Sequence, residues 1–360
     1  MVVNKRELPI LDYAAELCQF NLHDTAVIAR QHLLSTTYDL FERLFAKNLK
    51  PKNTFLLGKC YSTNKETFDN FTSKGVYVSP YSTAFDSYRS FDEQSREVIE
   101  ELLDSAAHLS GLERVVILDD GGDLILAANK IFKNACGVEQ TSSGFRKISQ
   151  APLEYPVVNV ARSEAKLKLE SPMIAEAIAV KLQPYLKNDS KVLVVGNGPI
   201  GNSIYEKLSK RYFVTSKQEL FSDSKLKLDI YDIIIGCTGD TIIQPDQLKQ
   251  CKKGAILASA SSSDTEFPAV NLRKKTIRTY DCHQTISVDD IILLNSGFPI
   301  NFDGSKDSVP PEKIQLTRSL LLVGIYQALE SKNKGLIELN REMQGKIVQR
   351  YEEIYVISSN

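Results

Sequence analysis

The sequence has almost no net charge. Its 44 lysines and arginines face 45 aspartates and glutamates, with no long run of one sign. That excludes the basic footprint of a nucleic-acid or anionic-membrane binder. Long apolar runs are missing too: none approaches the roughly 18 residues of a spanning helix, so no membrane segment is expected. The opening "MVVNKRELPILDY" places acids and a proline where a signal peptide needs an apolar core, so a cytoplasmic setting is expected. The six cysteines, Cys18, Cys60, Cys136, Cys237, Cys251 and Cys282, form no CxxC pair, and the four histidines are equally dispersed. A structural zinc site is therefore not expected, and the thiols are expected to be reduced. No repeat or low-complexity tract occurs. What is there is ordinary globular composition, 42% apolar and 25% charged over 360 residues, enough for two domains.

Periodicity divides the chain. The first fifty residues read as helical, with Leu40, Phe41, Leu44 and Phe45 on one face after "STTYD". From there strands and helices alternate. "TFLLGKC" is a strand, "KETFDNFTSKG" a helix closing on Gly75, and "VYVSP" a strand. "SFDEQSREVIEELLDSAAHL" is a long helix opened by Ser90 and Glu93 in capping-box spacing. Strand "RVVIL", helix "LILAANKIFKN" and strand "PVVNV" follow. Continuously apolar strands between helices argue for parallel sheets covered on both faces. A second series opens with helix "SPMIAEAIAVKLQPYL" and continues through "KVLVV", "YFVTS", "YDIIIGCTG", "AILASA" and "TIRTYD". A last long helix begins at "PP" near residue 310, stops at Gly335 as a C′ glycine, and folds back onto the first series.

The motif with the clearest chemistry is "KVLVVGNGPIGNS". A strand runs into Gly196, Gly198 and Gly201, and a helix follows. The first glycine permits the turn, the second lets backbone approach a pyrophosphate, and the third lets helix and strand pack closely. The helix start at Pro199 and Ile200 completes the cradle. The next strand should end in an acid that binds the adenosine ribose, yet it ends in Thr215, Ser216 and Lys217, with Glu219 slightly beyond. Hydroxyls and a cation tolerate a 2′-phosphate, so NAD and NADP both stay open. The fold class is α/β, with two Rossmann-like doubly wound parallel-sheet domains.

A second stretch, "ILDDGGDLI" at 117–125, ends an apolar strand in three acids around a glycine pair. Gly121 and Gly122 turn the chain, Asp123 is placed to cap the next helix, and Asp119 is structural. Asp120 stands where a parallel strand presents a residue to ligand. The three acids lack a histidine or a further ligand set, so no metal site is expected. His283 and Cys237 are read as structural, since neither has a catalytic neighbour in sequence.

Six stretches in register resemble the S-adenosyl-L-homocysteine hydrolase family from about residue 53 to about residue 330. They are "LDDGGDL" at 118–124, "GVEQTSSG" at 137–144, "PVVNVARSEAKLKLES" at 156–171, "VVGNGPIG" at 194–201, "IIGCTGD" at 234–240 and "ASSSDTEF" at 260–267. The resemblance implies a bound NAD that oxidises a ribose hydroxyl, base-assisted elimination, and return of the hydride. It implies residues 1–171, completed by about 306–360, as a substrate-binding-like domain and 172–305 as an NAD(P)-binding domain.

Carried over position by position, Asp120 matches the catalytic strand-end aspartate, Lys166 the lysine near the 3′-hydroxyl, and Thr141 the start of the ribose-binding run. Thr238 and Gly239 match the cofactor-side strand end, and Asn301 sits near the nicotinamide-side asparagine. The departures fall on acids and bases. Gln140 replaces a glutamate and can bind a hydroxyl but not take its proton. Glu170 and Ser171 replace an aspartate and an asparagine. Lys59 stands for the first-strand histidine and Ser262 for another, and the family's C-terminal lysine and tyrosine tail is absent.

The catalytic candidates are thus Lys166, Asp120 and Gln140, with Thr141, Glu170 and Lys59 binding substrate. The expected activity is hydride transfer on a hydroxyl-bearing, nucleoside-like small molecule. The alternatives are a catalytically silent binding protein and an authentic adenosylhomocysteinase with an altered site. No nucleic-acid or membrane partner is expected, and the resemblance implies a homo-oligomer.

Overall fold

The strands Thr25–Gln31, Thr54–Gly58, Arg114–Asp119 and Ala135–Glu139 are buried along nearly their whole length, a pattern that requires helices on both faces. The computed structural model describes residues 6–220, 227–276 and 281–355. Its strands begin with β1 (Thr25–Gln31), β2 (Thr54–Gly58), β3 (Tyr77–Val78), β4 (Arg114–Asp119), β5 (Ala135–Glu139) and β6 (Pro156–Asn159). They continue as β7 (Lys191–Val195), β8 (Phe213–Lys217), β9 (Ile233–Gly236), β10 (Ala255–Ser259), β11 (Ile286–Val288), β12 (Ile291–Leu293) and β13 (Gly335–Glu338). The chain divides into two compact units: Met1–Thr83 with Arg96–Glu170 and Val309–Asn360, and Ala84–Ser95 with Ser171–Ser308.

In the first unit the strand order is β13-β6-β5-β4-β1-β2-β3, all parallel. Winding starts at β1, runs outward to β3, then reverses to β4 and outward again. The order therefore changes direction between β1 and β4, and the crevice beyond their carboxyl ends is where such sheets take ligands. One face packs Ala26, Ile28, Val115 and Ile117 with Leu102 and Leu103 of helix Phe91–Ala106 and Leu124 of helix Asp123–Ala128. Helix Pro311–Glu330 covers the other face over β5 and β6.

In the second unit the order is β11-β12-β10-β9-β7-β8, parallel except for β11. Here the reversal falls between β7 and β9. Helices Ser171–Leu182 and Pro199–Leu208 pack Ala175, Ile178 and Ile204 onto Val192, Val194, Ile233 and Ile235. The segment before residue 96 is tied in by buried Arg273, which donates to the Ser87 and Arg89 carbonyls and pairs with Asp264 at 2.6 Å. No helix among the described residues is long and apolar enough to cross a membrane.

The capping box forms as read: Ser90 N donates to Glu93 and Glu93 N to the Ser90 hydroxyl. Three expectations fail. Residues 25–31, assigned to helix, are the central strand β1. Gly335 does not end a helix. Helix Pro311–Glu330 is capped at Ser331, and Gly335, at φ 94°, opens β13. The helix after the acidic turn spans only Asp123–Ala128. Residues 277–280 of the expected strand "TIRTYD" lie outside the described residues.

Candidate functional site

At the carboxyl end of β4 the three acids part company. Asp119 Oδ1 accepts the Asp120 amide at 2.7 Å, and its Oδ2 accepts the Ile125 amide at 3.1 Å. Asp119 thus satisfies a first-turn donor of helix Asp123–Ala128, the capping role expected of Asp123. Asp123 makes no cap; the N-cap residue is Gly122, and the Asp123 carboxylate pairs with Arg30 at 3.2 Å and Lys147 at 2.7 Å. Asp120 turns to a different set. Its Oδ1 takes the Lys59 ammonium, and its Oδ2 takes the Gln140 amide and lies 3.3 Å from His32 Nε2.

His32 directly follows β1 and Lys59 directly follows β2, so two neighbouring strand ends bring both to Asp120. Because an ionised carboxylate only accepts, His32 Nε2 carries the proton and Nδ1 accepts the Ser62 hydroxyl at 2.5 Å. Burial lowers the His32 pKa to about 3, and the Lys59 and Arg318 charges work in the same direction against the attraction of Asp120. Burial alone would raise Asp120, but Lys59 and His32 outweigh it and hold the carboxyl well below its usual range. Burial also lowers the Lys59 pKa, with Asp120 opposing. The cluster is thus an ion pair with a neutral imidazole.

The Gln140 side chain is almost fully buried, and its Oε1 has no hydrogen-bond partner among the described residues. Since the Asp120 carboxylate fixes the amide nitrogen, the orphaned carbonyl is an acceptor suited to a ligand hydroxyl. Behind it lies Glu139, which the sequence reading passed over. Its Oε1 accepts the Thr141 amide and hydroxyl at 2.7 and 2.6 Å and the Gly121 amide at 3.3 Å. Burial and the neighbouring Asp119 raise Glu139 well above an ordinary glutamate. Thr141 is the N-cap of helix Ser142–Ile148, its hydroxyl accepting the Gly144 amide at 3.0 Å.

The neutral His32 ring carries a pH signature. Its folded pKa lies below the unfolded value near ~6.5, so its contribution is fully present above that value. It is lost as pH falls toward about 3. A His32→Gln variant is expected to lack this component. Its urea midpoint should change less than that of the wild type between about pH 7.5 and about pH 4.5. An equal change in both proteins would contradict a buried neutral ring.

Lys166 and Glu170 pair with each other at 2.6 Å across one turn of a π-helical stretch, and Thr317 donates to Glu170 at 3.0 Å. No hydrogen bond or ion pair joins Lys166 to Asp120. Of the candidates in the first unit, the structure therefore links Asp120, Gln140 and Lys59 directly, and keeps Lys166 with Glu170.

In the second unit the glycine loop fills the position between β7 and β9. Gly196 has φ 115°, and a Cβ there would stand 2.8 Å from the Cys237 carbonyl. At Gly201 a Cβ would stand 1.9 Å from the Gly196 oxygen. At Gly198, the N-cap of helix Pro199–Leu208, a Cβ meets nothing within 4 Å. Two glycines are thus demanded by the fold and the third faces open space, at a helix start with no side-chain cap on the Ile200 and Gly201 amides. A helix start of this form, with open space at Gly198, has the backbone geometry that suits a phosphate.

Across the crevice, buried Glu266 organises the end of β9, accepting the Thr238 and Gly239 amides at 2.7 and 3.2 Å. Asn301 is buried just beyond Ile300, whose amide donates to Ser259 at the end of β10. Ser216 donates to Asn197 of the loop at 3.1 Å. The Cys237 thiol is pushed well up by burial and by Glu266, and the His283 ring meets the Phe302 carbonyl at 3.2 Å.

No family model matches the chain. An uncharacterized protein of Mycobacterium tuberculosis is 37% identical over 339 residues, covering 89% of this chain and 67% of its own. The adenosylhomocysteinase of Thermotoga maritima is 24% identical over 308 residues, covering 76% and 72%. Among solved structures, the A chain of dipicolinate synthase from Bacillus subtilis matches 84% of this chain and 96% of its own, at TM-score 0.39 and 11% identity. The NAD-dependent formate dehydrogenase of Staphylococcus aureus, in complex with NAD, matches 66% and 73%, at TM-score 0.34 and 12% identity.

Proposed function

This chain belongs to the family of the uncharacterized Mycobacterium tuberculosis protein, and from that premise we propose an NAD(P)-dependent enzyme acting on a hydroxyl-bearing, nucleoside-like small molecule. The observation that carries the reading is the glycine loop: two glycines locked by the fold and one left open at the reversal of a doubly wound sheet. When bound, a dinucleotide would supply a two-electron redox equivalent. The second unit holds it through Gly196, Gly198, Gly201 and the amides of Ile200 and Gly201, with Thr238, Gly239 and Asn301 at neighbouring strand ends. In the first unit Gln140 Oε1 accepts the substrate hydroxyl, and Asp120 with Lys59 and His32 fixes that amide. Lys166, paired with Glu170, is the further substrate contact in this reading. The 24% identity to an adenosylhomocysteinase supports a nucleoside as the ligand class.

The test is to denature the purified protein and identify released small molecules by mass spectrometry. Dinucleotide in both redox states is the expected result, and its absence would overturn the reading. A Lys166→Ala variant is expected to retain the dinucleotide yet lose its reduction by substrate, and unchanged turnover would remove Lys166 from the mechanism. One observation favours a second reading, a binding protein without turnover: Lys59 already neutralises Asp120, and Gln140 stands where an acid would act. A single redox state that no nucleoside changes would favour it.

A further inference from the structure

We propose that the dinucleotide taken by this protein is the 2′-phosphorylated one, NADP(H), and that Ser216 and Lys217 receive the phosphate. The inference rests on the dinucleotide reading above and deepens it. In a doubly wound sheet, the strand beside the glycine-loop strand ends at the adenosine ribose, and the side chains there decide whether a 2′-hydroxyl or a 2′-phosphate is accepted. A carboxylate at this place accepts hydroxyl hydrogen bonds and repels a phosphate, while a cation with hydroxyl donors does the reverse.

The structure fixes which residues hold that place. β8 pairs with β7 in parallel, Ser216 beside Val194 and Lys217 beside Val195, the residue before the first loop glycine. The Gly196 amide donates to the Lys217 carbonyl at 2.8 Å, so the loop and the strand end are joined at that residue. Ser216 adds a second tie, its hydroxyl donating to the side chain of Asn197 within the loop, a single proton that has to turn from Asn197 to the phosphate on binding. Both side chains are half-buried. The reading position therefore carries a hydroxyl and an ammonium, and the neighbouring carboxylate, Glu219, lies beyond the last strand residue. Thr215, beside Leu193, stands one step back along β8.

The experiment uses the full chain, freed of any retained ligand. NADP⁺ and NAD⁺ are titrated by calorimetry, together with 2′,5′-ADP and 5′-AMP as ribose-side probes. NADP⁺ is expected to bind at least about tenfold more tightly than NAD⁺, and 2′,5′-ADP more tightly than 5′-AMP by a similar factor. The advantage should shrink as salt rises, because it is an ion pair near the surface. Lys217→Gln should remove most of the preference while leaving NAD⁺ affinity nearly unchanged. Ser216→Asp should reverse it, and the two variants are independent tests should one fold poorly. Equal or tighter binding of NAD⁺ would overturn the inference and leave the dinucleotide reading standing. Failure of every dinucleotide to bind would overturn the reading itself.

Discussion

An Asp120→Asn variant is expected to lose about 3–5 kcal/mol of stability, the cost of leaving a buried charge without its partner. The partner is Lys59, as deeply buried as Asp120 itself. The asparagine keeps the size but not the charge, and it presents a donor toward groups that already donate, namely Lys59, Gln140 and His32. Lys59 can relieve part of the strain by shedding its proton, since burial already lowers its pKa. A stability loss below about 1 kcal/mol, read from urea unfolding at constant slope, would show that the pair is not the buried ion pair described.

Replacing both partners by apolar residues of similar size, Asp120→Leu with Lys59→Met, is expected to recover most of the stability. It should not recover ligand binding, because Gln140 then loses the carboxylate that fixes its amide. That contrast separates the site's contribution to folding from its contribution to recognition.

The second large effect lies in the glycine loop, where two substitutions of the same size should behave oppositely. Gly201→Ala places a methyl 1.9 Å from the Gly196 carbonyl oxygen and 3.3 Å from Cys237 Cβ. Helix Pro199–Leu208 has to move off β7, at a cost of about 1–3 kcal/mol or more. Gly198→Ala puts its methyl into open space at φ −69° and ψ 175°, a conformation any residue adopts. Its stability cost should stay under about 1 kcal/mol, most of it from the poorer N-cap. Dinucleotide affinity should nevertheless fall at least about tenfold, because the pyrophosphate has to approach the backbone there. Thermal melting and calorimetry on the two variants check this together. A Gly198→Ala protein that binds dinucleotide normally would place the ligand elsewhere.

How far the sequence could be read depended on where each signal was stored. The glycine loop was legible because strand, turn and helix start are consecutive, and its spacing carries the backbone requirement. The capping box at Ser90 and Glu93 was legible for the same reason. Strand β1 was not. "TAVIARQ" is buried along its whole length, so it shows no alternation, and a short apolar run beside helical periodicity cannot be told from a helix by pattern alone. Missing β1 also hid His32 and Arg30, because their roles depend on standing next to β4 in the sheet. Gly335 misled through a real property: it needs positive φ, but at the entry to β13 rather than the end of a helix.

By itself, then, the sequence determined the α/β class, the mostly parallel character of both sheets and the strand–turn–helix at Gly196–Gly201, since each rests on neighbours in the chain. The division of labour among Asp119, Asp120 and Asp123 was decided only in the tertiary structure. Three adjacent carboxylates are chemically alike, and what separates them is the partner each meets from another strand or helix. Asp119 meets the amide of Ile125, Asp123 meets Arg30 and Lys147, and Asp120 meets Lys59, Gln140 and His32. Those partners are brought together by strand order, and strand order is a property of the whole sheet rather than of any segment in it.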